Sequence, residues 1–292
     1  MKHWYPKEVK TAEARLRYYA ERFSTVEVDS TYYRLPDEEM VSRWDERTPD
    51  GFVMHVKAFG MMTRHPVRAE QLPPDLREAA PVDDRGRVDR PPRELRAEAF
   101  ARFHAALEPL RSAGKLGGIL LQFPPSVVAK DLSRDYLAWA VEQLRGDRPL
   151  VEFRHRSWLD EENRAETLAY LEELGAAHVV VDAPKTEAKN LVPTVVAATS
   201  PLAYVRMHGR NAGTWNVRGG SASDRFDYLY SEDELREWAG PLRELAESAE
   251  EVYVLFNNNR WSRTARGELA AQAPANAQAL QGILDESGVP TA

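Results

Sequence analysis

The stretch Leu168–Asp182, LAYLEELGAAHVVVD, joins two different patterns. Its leucines at 168, 171 and 174 recur at helical spacing, and Gly175 is a natural residue for the end of a helix. The run Val179–Val181 is apolar on both faces, as strands of a parallel sheet are. The stretch therefore predicts a helix that leads directly into a buried parallel strand.

The same alternation of helix and strand extends along the chain. Seven strands are predicted, at 26–33, 52–59, 117–123, 150–155, 178–182, 203–208 and 251–258. Strands that alternate with helices indicate a parallel sheet with helical crossovers, so we predict a TIM-type (β/α) barrel as a single domain over 1–292. Two long segments, 61–93 and 211–230, each follow a strand, and we expect them to lie over the C-terminal mouth of the barrel.

Composition narrows the class of protein. The chain has 292 residues, 43% hydrophobic and 29% charged, which is typical of a globular protein. It contains no cysteine, which excludes disulfides, thiolate catalysis and thiolate metal sites. The formal net charge of -7 argues against a general nucleic-acid coat protein. No apolar run reaches membrane-spanning length and no signal peptide is evident, so we expect a cytoplasmic protein without a membrane partner.

One face of every predicted strand carries polar side chains near its end. Residues two apart in a strand share a face, and in a closed barrel these side chains would converge near the C-terminal rim. Burying so many charges is costly unless they satisfy one another or serve a function. A functional pocket and a self-satisfied network of ion pairs are both compatible with the pattern. The polar positions are Glu27, Asp29, His55, Lys57, Gln122, Glu152, Arg154, Asp182, Arg206, His208 and Asn257.

Several ordered motifs resemble those of the YecE-like proteins, domain-of-unknown-function family 72. The resemblance covers nearly the whole chain and implies a TIM-type barrel, but no established activity. The motifs are residues 26–36 (VEVDSTYYRLP), 52–57, 117–126 (GGILLQFPPS), 151–158 (VEFRHRSW), 206–209, 256–259 and 273–277.

Seven strands are one fewer than a closed TIM barrel contains. The family resemblance implies a first strand that ends in a Gly-Trp segment and would precede Trp4. We therefore expect that the first strand is missing from this chain and that the natural protein carries roughly twenty more residues upstream.

The favoured function is that of a hydrolase or isomerase acting on a polar, anionic substrate that carries phosphate or carboxylate. Cationic side chains would bind the anion, and carboxylates would act as general acid or base. The candidate catalytic residues are Glu152, Asp182, His208 and Glu27. The candidate substrate-binding residues are Asp29, Tyr32, His55, Lys57, Gln122, Arg154, Trp158, Arg206 and Asn257.

Other functions remain open. No tight metal-ligand motif is present and no cofactor is firmly implied, but a divalent metal could be bound by Glu27, His55, Glu152, Asp182 and His208. A nucleic-acid-binding or nucleic-acid-processing protein is a second class, with the 61–93 segment and basic residues such as Arg64 and Arg218 following the phosphate backbone. A non-catalytic binding or scaffold protein is a third. The oligomeric state is not predicted.

Overall fold

All seven predicted strands are present in the computed structural model, which describes residues 4–88, 90–217, 222–258, 260–263, 267 and 269–291. The helices are α1 (Ala12–Ala20), α2 (Glu38–Glu46), α3 (Pro74–Ala79), α4 (Arg93–Ala106), α5 (Glu108–Ser112), α6 (Asp131–Glu142), α7 (Arg164–Glu173), α8 (Ala212–Trp215), α9 (Glu232–Arg236), α10 (Ala239–Ser248) and α11 (Gln272–Glu286). The strands are β1 (Thr25–Val28), β2 (Val53–Lys57), β3 (Val67–Arg68), β4 (Arg87–Val88), β5 (Leu116–Gln122), β6 (Pro149–Glu152), β7 (Ala177–Asp182), β8 (Leu202–Met207), β9 (Glu251–Phe256), β10 (Trp261–Arg263) and β11 (Leu269–Ala271).

The long strands form one parallel sheet in the order β1-β2-β5-β6-β7-β8-β9, which is their order along the chain. Helices connect successive strands except β7 and β8, whose connection over residues 183–201 contains no helix. The two antiparallel pairs in the described residues, β3 with β4 and β10 with β11, are short hairpin-like additions. The fold is a TIM-type α/β barrel, as the sequence predicted.

Six of the seven strands end earlier than the sequence predicted, and the difference is largest at β1 and β6. β1 stops at Val28, because Asp29 turns into the helical region (φ -93°, ψ -15°) and a 3-10 helix follows over Ser30–Tyr32. β6 stops at Glu152, so Arg154 lies beyond the strand. Both residues therefore lie in loops that follow carboxyl ends of strands, the end at which TIM barrels carry their sites.

The chain divides into two compact units. The N-terminal unit consists of Thr11–His155 and Leu174–Ala176, and it contains β1, β2, β5 and β6. Its interior includes the fully buried Phe100 and Phe103 of α4. The C-terminal unit consists of Met1–Lys10, Arg156–Glu173 and Ala177–Ala292, and it contains β7, β8 and β9. The single domain predicted from the sequence stays a prediction.

The C-terminal unit has its own apolar core between its strands and its helices. Val180, Val205 and Met207 belong to one buried cluster with Trp238 and Leu242. A capping box at Ser231 and Glu234 begins α9, which brings Leu235 into the same cluster. This core fixes which face of β7 and β8 is directed at the helices.

The two long segments are structured in part. Residues 61–93 contain the end of a buried 3-10 helix (Gly60–Thr63), the β3–β4 pair and α3. Residues 211–230 contain α8 and a 3-10 helix over Ala222–Phe226, and positions 218–221, including Arg218, lie outside the described residues. Their place over the mouth of the barrel stays a prediction.

Candidate functional site

Polar side chains of the N-terminal unit share one face of its strands. Glu27 is the register partner of His55, and Gln122 is the register partner of Glu152. Register partners in a parallel sheet point to the same side, so the alternation predicted from the sequence holds for both pairs. Glu27 is half-buried, whereas Glu152 is fully buried.

Lys57, the last residue of β2, lies among groups from the loop after β1. Its Nζ atom is 2.7 Å from Oδ1 of Asp29 and 4.5 Å from the centre of the Tyr32 ring. The hydroxyl of Thr31 donates to the backbone carbonyl of Lys57 at 2.6 Å, which fixes the loop to the strand. The side chain of Lys57 is 10% exposed and that of Asp29 is 51% exposed, so this ion pair extends from the interior to solvent.

Glu152 and Arg154 form a second, more deeply buried ion pair at the end of β6. Nη2 of Arg154 also lies 3.5 Å from Oε1 of Gln122, which ends the neighbouring strand. The Glu152 side chain is completely buried and that of Arg154 is 12% exposed. A buried pair of this kind is stable only when its geometry and remaining hydrogen bonds compensate the cost of desolvation.

His65 joins this group, and sequence reasoning missed it. Its Nδ1 atom is 2.9 Å from the hydroxyl of Thr63, and its ring stands edge-on to Tyr32 with centroids 5.1 Å apart. Burial lowers the pKa of His65 to about 4; Lys57 and Arg154 lower it further, and Glu152 opposes them. His65 is therefore neutral at pH 7 and can both donate and accept a proton.

We call Asp29, Tyr32, Lys57, His65, Glu152 and Arg154 the N-terminal cluster. His55 is separate from it. His55 is fully buried, and its pKa falls to about 3, first because of burial and then because of the charge of Arg148. A β-carbon on Gly117 would lie only 2.5 Å from Cε1 of His55, so the ring is packed closely against β5. We assign His55 to the packed interior of the N-terminal unit.

In the C-terminal unit, the predicted residues His208 and Asn257 meet. The Asn257 amide nitrogen is 3.2 Å from Nδ1 of His208, and both follow the ends of neighbouring strands. The rings of Phe226 and Trp215 lie 5.5 and 6.5 Å from the His208 ring. Arg206, two residues earlier on the same strand face, is 1% exposed. The 211–230 segment thus supplies aromatic neighbours to a buried histidine.

Asp182 requires a correction. The sequence placed it on the face of Arg206 and His208, but its register partner is Met207, and Val180 on the same face packs in the helix-side core. Its carboxylate is 3.0 Å from Nε of Arg210 and also accepts hydrogen bonds from the side chains of Tyr230 and Trp238. Burial raises the pKa of Asp182, and Arg210 opposes that shift. Asp182 therefore faces the helices of the C-terminal unit.

Gly209, between His208 and Arg210, permits a close approach of Tyr228. Its φ is +87°, and an added β-carbon would lie 2.5 Å from Cβ of Tyr228. Gly209→Ala is expected to lower the free energy of unfolding by about 3 kcal/mol, since left-handed strain and overpacking both contribute. Urea unfolding measures this. Gly240→Ala in α10 meets no atom within 4 Å and should be neutral or stabilising, and equal effects at the two positions would contradict the argument.

The other predicted features divide between the units. Trp158, at the end of a 3-10 helix in the C-terminal unit, is fully buried. Of the five metal-ligand candidates, three lie in the N-terminal unit and two in the C-terminal unit. The described residues contain no group of three or more His, Asp or Glu placed to hold a metal ion.

None of the helices in the described ranges combines the length and apolar composition that a membrane crossing needs.

Comparison with known proteins identifies relatives over nearly the full length. The family model "Protein of unknown function DUF72" matches residues 1–291. The UPF0759 protein YunF of Bacillus subtilis (strain 168) is 34% identical over 256 residues, which cover 86% of this chain and 83% of that protein.

Solved structures agree in fold. A DUF72 family protein from Enterococcus faecalis V583 aligns with a TM-score of 0.74 and 25% identity over 92% of this chain and 88% of that one. A DUF72 family protein from Thermotoga maritima MSB8 aligns with a TM-score of 0.71 and 30% identity over 99% of this chain and 94% of that one. The chain therefore belongs to the DUF72 family, proteins of unknown function with a TIM-type α/β barrel fold.

Proposed function

We propose that the chain is an enzyme, a hydrolase or isomerase, that performs acid–base chemistry on a small anionic substrate at the N-terminal cluster. The observation that carries this proposal is the position of neutral His65 near two ion pairs, the half-exposed Lys57–Asp29 and the buried Arg154–Glu152. Lys57 and Arg154 would bind phosphate or carboxylate, exchanging their present carboxylate partners for the substrate.

Proton transfer is assigned to Glu152 and His65. A carboxylate and a neutral imidazole that influence each other electrostatically can divide the roles of general base and general acid. Tyr32 lies against both Lys57 and His65, and burial raises its pKa to about 12, so it stays protonated and can donate a hydrogen bond to the substrate. In the C-terminal unit, His208 stays a candidate catalytic residue and Arg206 a candidate substrate-binding residue, and neither is assigned a step in this reaction.

A thermal-shift screen tests the proposal. The screen compares phosphorylated and carboxylated metabolites, nucleotides and divalent metals. An anionic ligand that binds the folded state, at a concentration of about 100 times its Kd, should raise the melting temperature by a few degrees. Lys57→Gln should remove most of this shift. Lys10→Gln removes the same charge from an exposed position and should leave the shift unchanged. The proposal is wrong if no anion stabilises the protein or if the two variants behave alike.

A further inference from the structure

Tyr33 extends the N-terminal cluster into solvent. It lies in the loop after β1 and is 56% exposed. Its ring stands edge-on to that of Tyr32 with centroids 5.0 Å apart, and Nζ of Lys57 lies 4.5 Å from the centre of the Tyr32 ring. Nε2 of Gln71 donates to the backbone carbonyl of Tyr33 at 2.8 Å, which holds the loop in place. An exposed aromatic ring is thus fixed one ring away from a buried ammonium group.

The ammonium group of Lys57 has unused hydrogen-bonding capacity. A lysine carries three N–H donors, and buried donors are normally satisfied. In the described part of the chain, Nζ of Lys57 donates one hydrogen bond, to Oδ1 of Asp29 at 2.7 Å, although its side chain is only 10% exposed. A second N–H can point at the ring of Tyr32. At least one donor is therefore available to an anionic ligand.

Asp29 has an acceptor to spare. It occupies the N-cap position of the 3-10 helix Ser30–Tyr32, where an aspartate usually accepts a hydrogen bond from the backbone, but its side chain makes no such bond. Among the described residues, its carboxylate is bonded only through Oδ1, to Lys57. The side chain is 51% exposed, so a hydroxyl group of a ligand can reach the second oxygen.

The cation, the acceptor and the ring border one small region of the N-terminal unit. Asp29 and Lys57 are in direct contact. Burial raises the pKa of Tyr33, and the charge of Asp29 raises it further. Burial also raises the pKa of Tyr32 to about 12, with further contributions from Tyr33 and Asp29. The Asp29 carboxylate is therefore near both phenol groups as well as the ammonium group.

We infer that the substrate of the N-terminal cluster is a sugar that carries an anionic group, either phosphate or carboxylate. Lys57 would bind the anionic group, Asp29 would accept hydrogen bonds from sugar hydroxyls, and the ring of Tyr33 would pack against the C–H groups of the sugar. An inorganic anion gains only the contact with Lys57 and is repelled by Asp29. An anionic sugar gains all three contacts. This inference names the substrate class of the proposed function and rests on it.

Calorimetric titration with matched probes tests the inference. Glucose 6-phosphate is compared with inorganic phosphate and with phenyl phosphate, which has a ring but no sugar hydroxyls, and glucuronate is compared with acetate. Hydrogen bonds to a charged acceptor contribute strongly to affinity, so the wild type should bind at least one of the two sugars roughly tenfold more tightly than its sugar-free counterparts.

Variants assign the preference to individual residues. Asp29→Ala removes the competing charge and the hydroxyl acceptor, so it should bind inorganic phosphate a few-fold more tightly and lose the roughly tenfold preference for the sugar. Tyr33→Ala should bind the sugar a few-fold more weakly and inorganic phosphate unchanged, whereas Tyr33→Phe keeps the ring and should bind both as the wild type does. Asp131→Asn, at a side chain that is 99% exposed, is the matched control for the loss of a negative charge.

The outcomes separate this inference from the proposed function. A preference for the sugar that is lost in Asp29→Ala and kept in Asp131→Asn supports it. It is overturned if Asp29→Ala changes the affinities for sugar and inorganic phosphate by the same factor, or if phenyl phosphate binds as tightly as glucose 6-phosphate. If anions give the Lys57-dependent thermal shift but neither sugar is preferred, only this inference fails. If no anion binds, the proposed function fails with it.

Discussion

Glu152→Gln is expected to reduce turnover of a substrate found in the thermal-shift screen by roughly 100- to 10,000-fold, the contribution of a positioned general acid or base. The glutamine side chain is nearly the same size but cannot exchange a proton at neutral pH. The substitution also leaves the buried Arg154 without its carboxylate, so the free energy of unfolding should fall by about 3 kcal/mol. Steady-state kinetics and urea unfolding measure the two effects.

A double variant separates catalysis from stability. Glu152→Leu combined with Arg154→Met replaces the buried ion pair by apolar groups and should recover most of the lost stability, as such replacements do elsewhere. It should still be inactive. The control, Glu142→Gln, breaks an exposed ion pair with Arg145. It should change the free energy of unfolding by no more than about 1 kcal/mol and the turnover rate by no more than roughly a few-fold. Full activity in Glu152→Gln would show that Glu152 takes no part in proton transfer.

The fold was predictable because strand burial and helix periodicity are local signals. All seven strands follow from short apolar runs such as Val179–Val181, and the order of the sheet follows from parallel crossovers. Most of the polar face was predictable too, since Gln122 and Glu152 end strands at which alternation is clear. Strand ends were less certain, because the turn at Asp29 depends on backbone angles that periodicity does not encode.

The rest of the site depends on tertiary contacts. Asp182 follows three valines in succession, a run that is apolar on both faces, so alternation could not decide its side. His65 and Arg64 lie in a segment predicted only as a long loop. The signal for them was weak: Met61 and Met62 are apolar residues shortly after a strand, which indicates a buried turn rather than a solvated insertion.

Acidification is expected to unfold the protein through its buried histidines. Burial lowers the pKa of His55 to about 3 and that of His65 and His178 to about 4, against about 6.5 in an unfolded chain. Above pH 6.5 these residues are neutral in both states, so their contribution to stability is fully present. As the pH falls from 6.5 towards 4, the unfolded chain binds protons that the folded chain does not, and that stability is lost.

In this window each histidine should lower the free energy of unfolding by about 1.4 kcal/mol for each pH unit, and the three together should lower it by about 4 kcal/mol. A protein of ordinary stability should therefore unfold near pH 5. Urea unfolding at pH 7, 6 and 5 gives the slope. His178→Gln isolates one contribution: the amide can still donate to the carbonyl of Val195, which His178 Nε2 now contacts at 3.0 Å, but it does not titrate. Its slope should be smaller than that of the wild type by about 1.4 kcal/mol per pH unit.

His65→Asn should reduce the slope by the same amount in the N-terminal unit, where protonation would also place a third cation beside Lys57 and Arg154. Unchanged slopes in both variants would show that carboxylates, rather than these histidines, control acid unfolding.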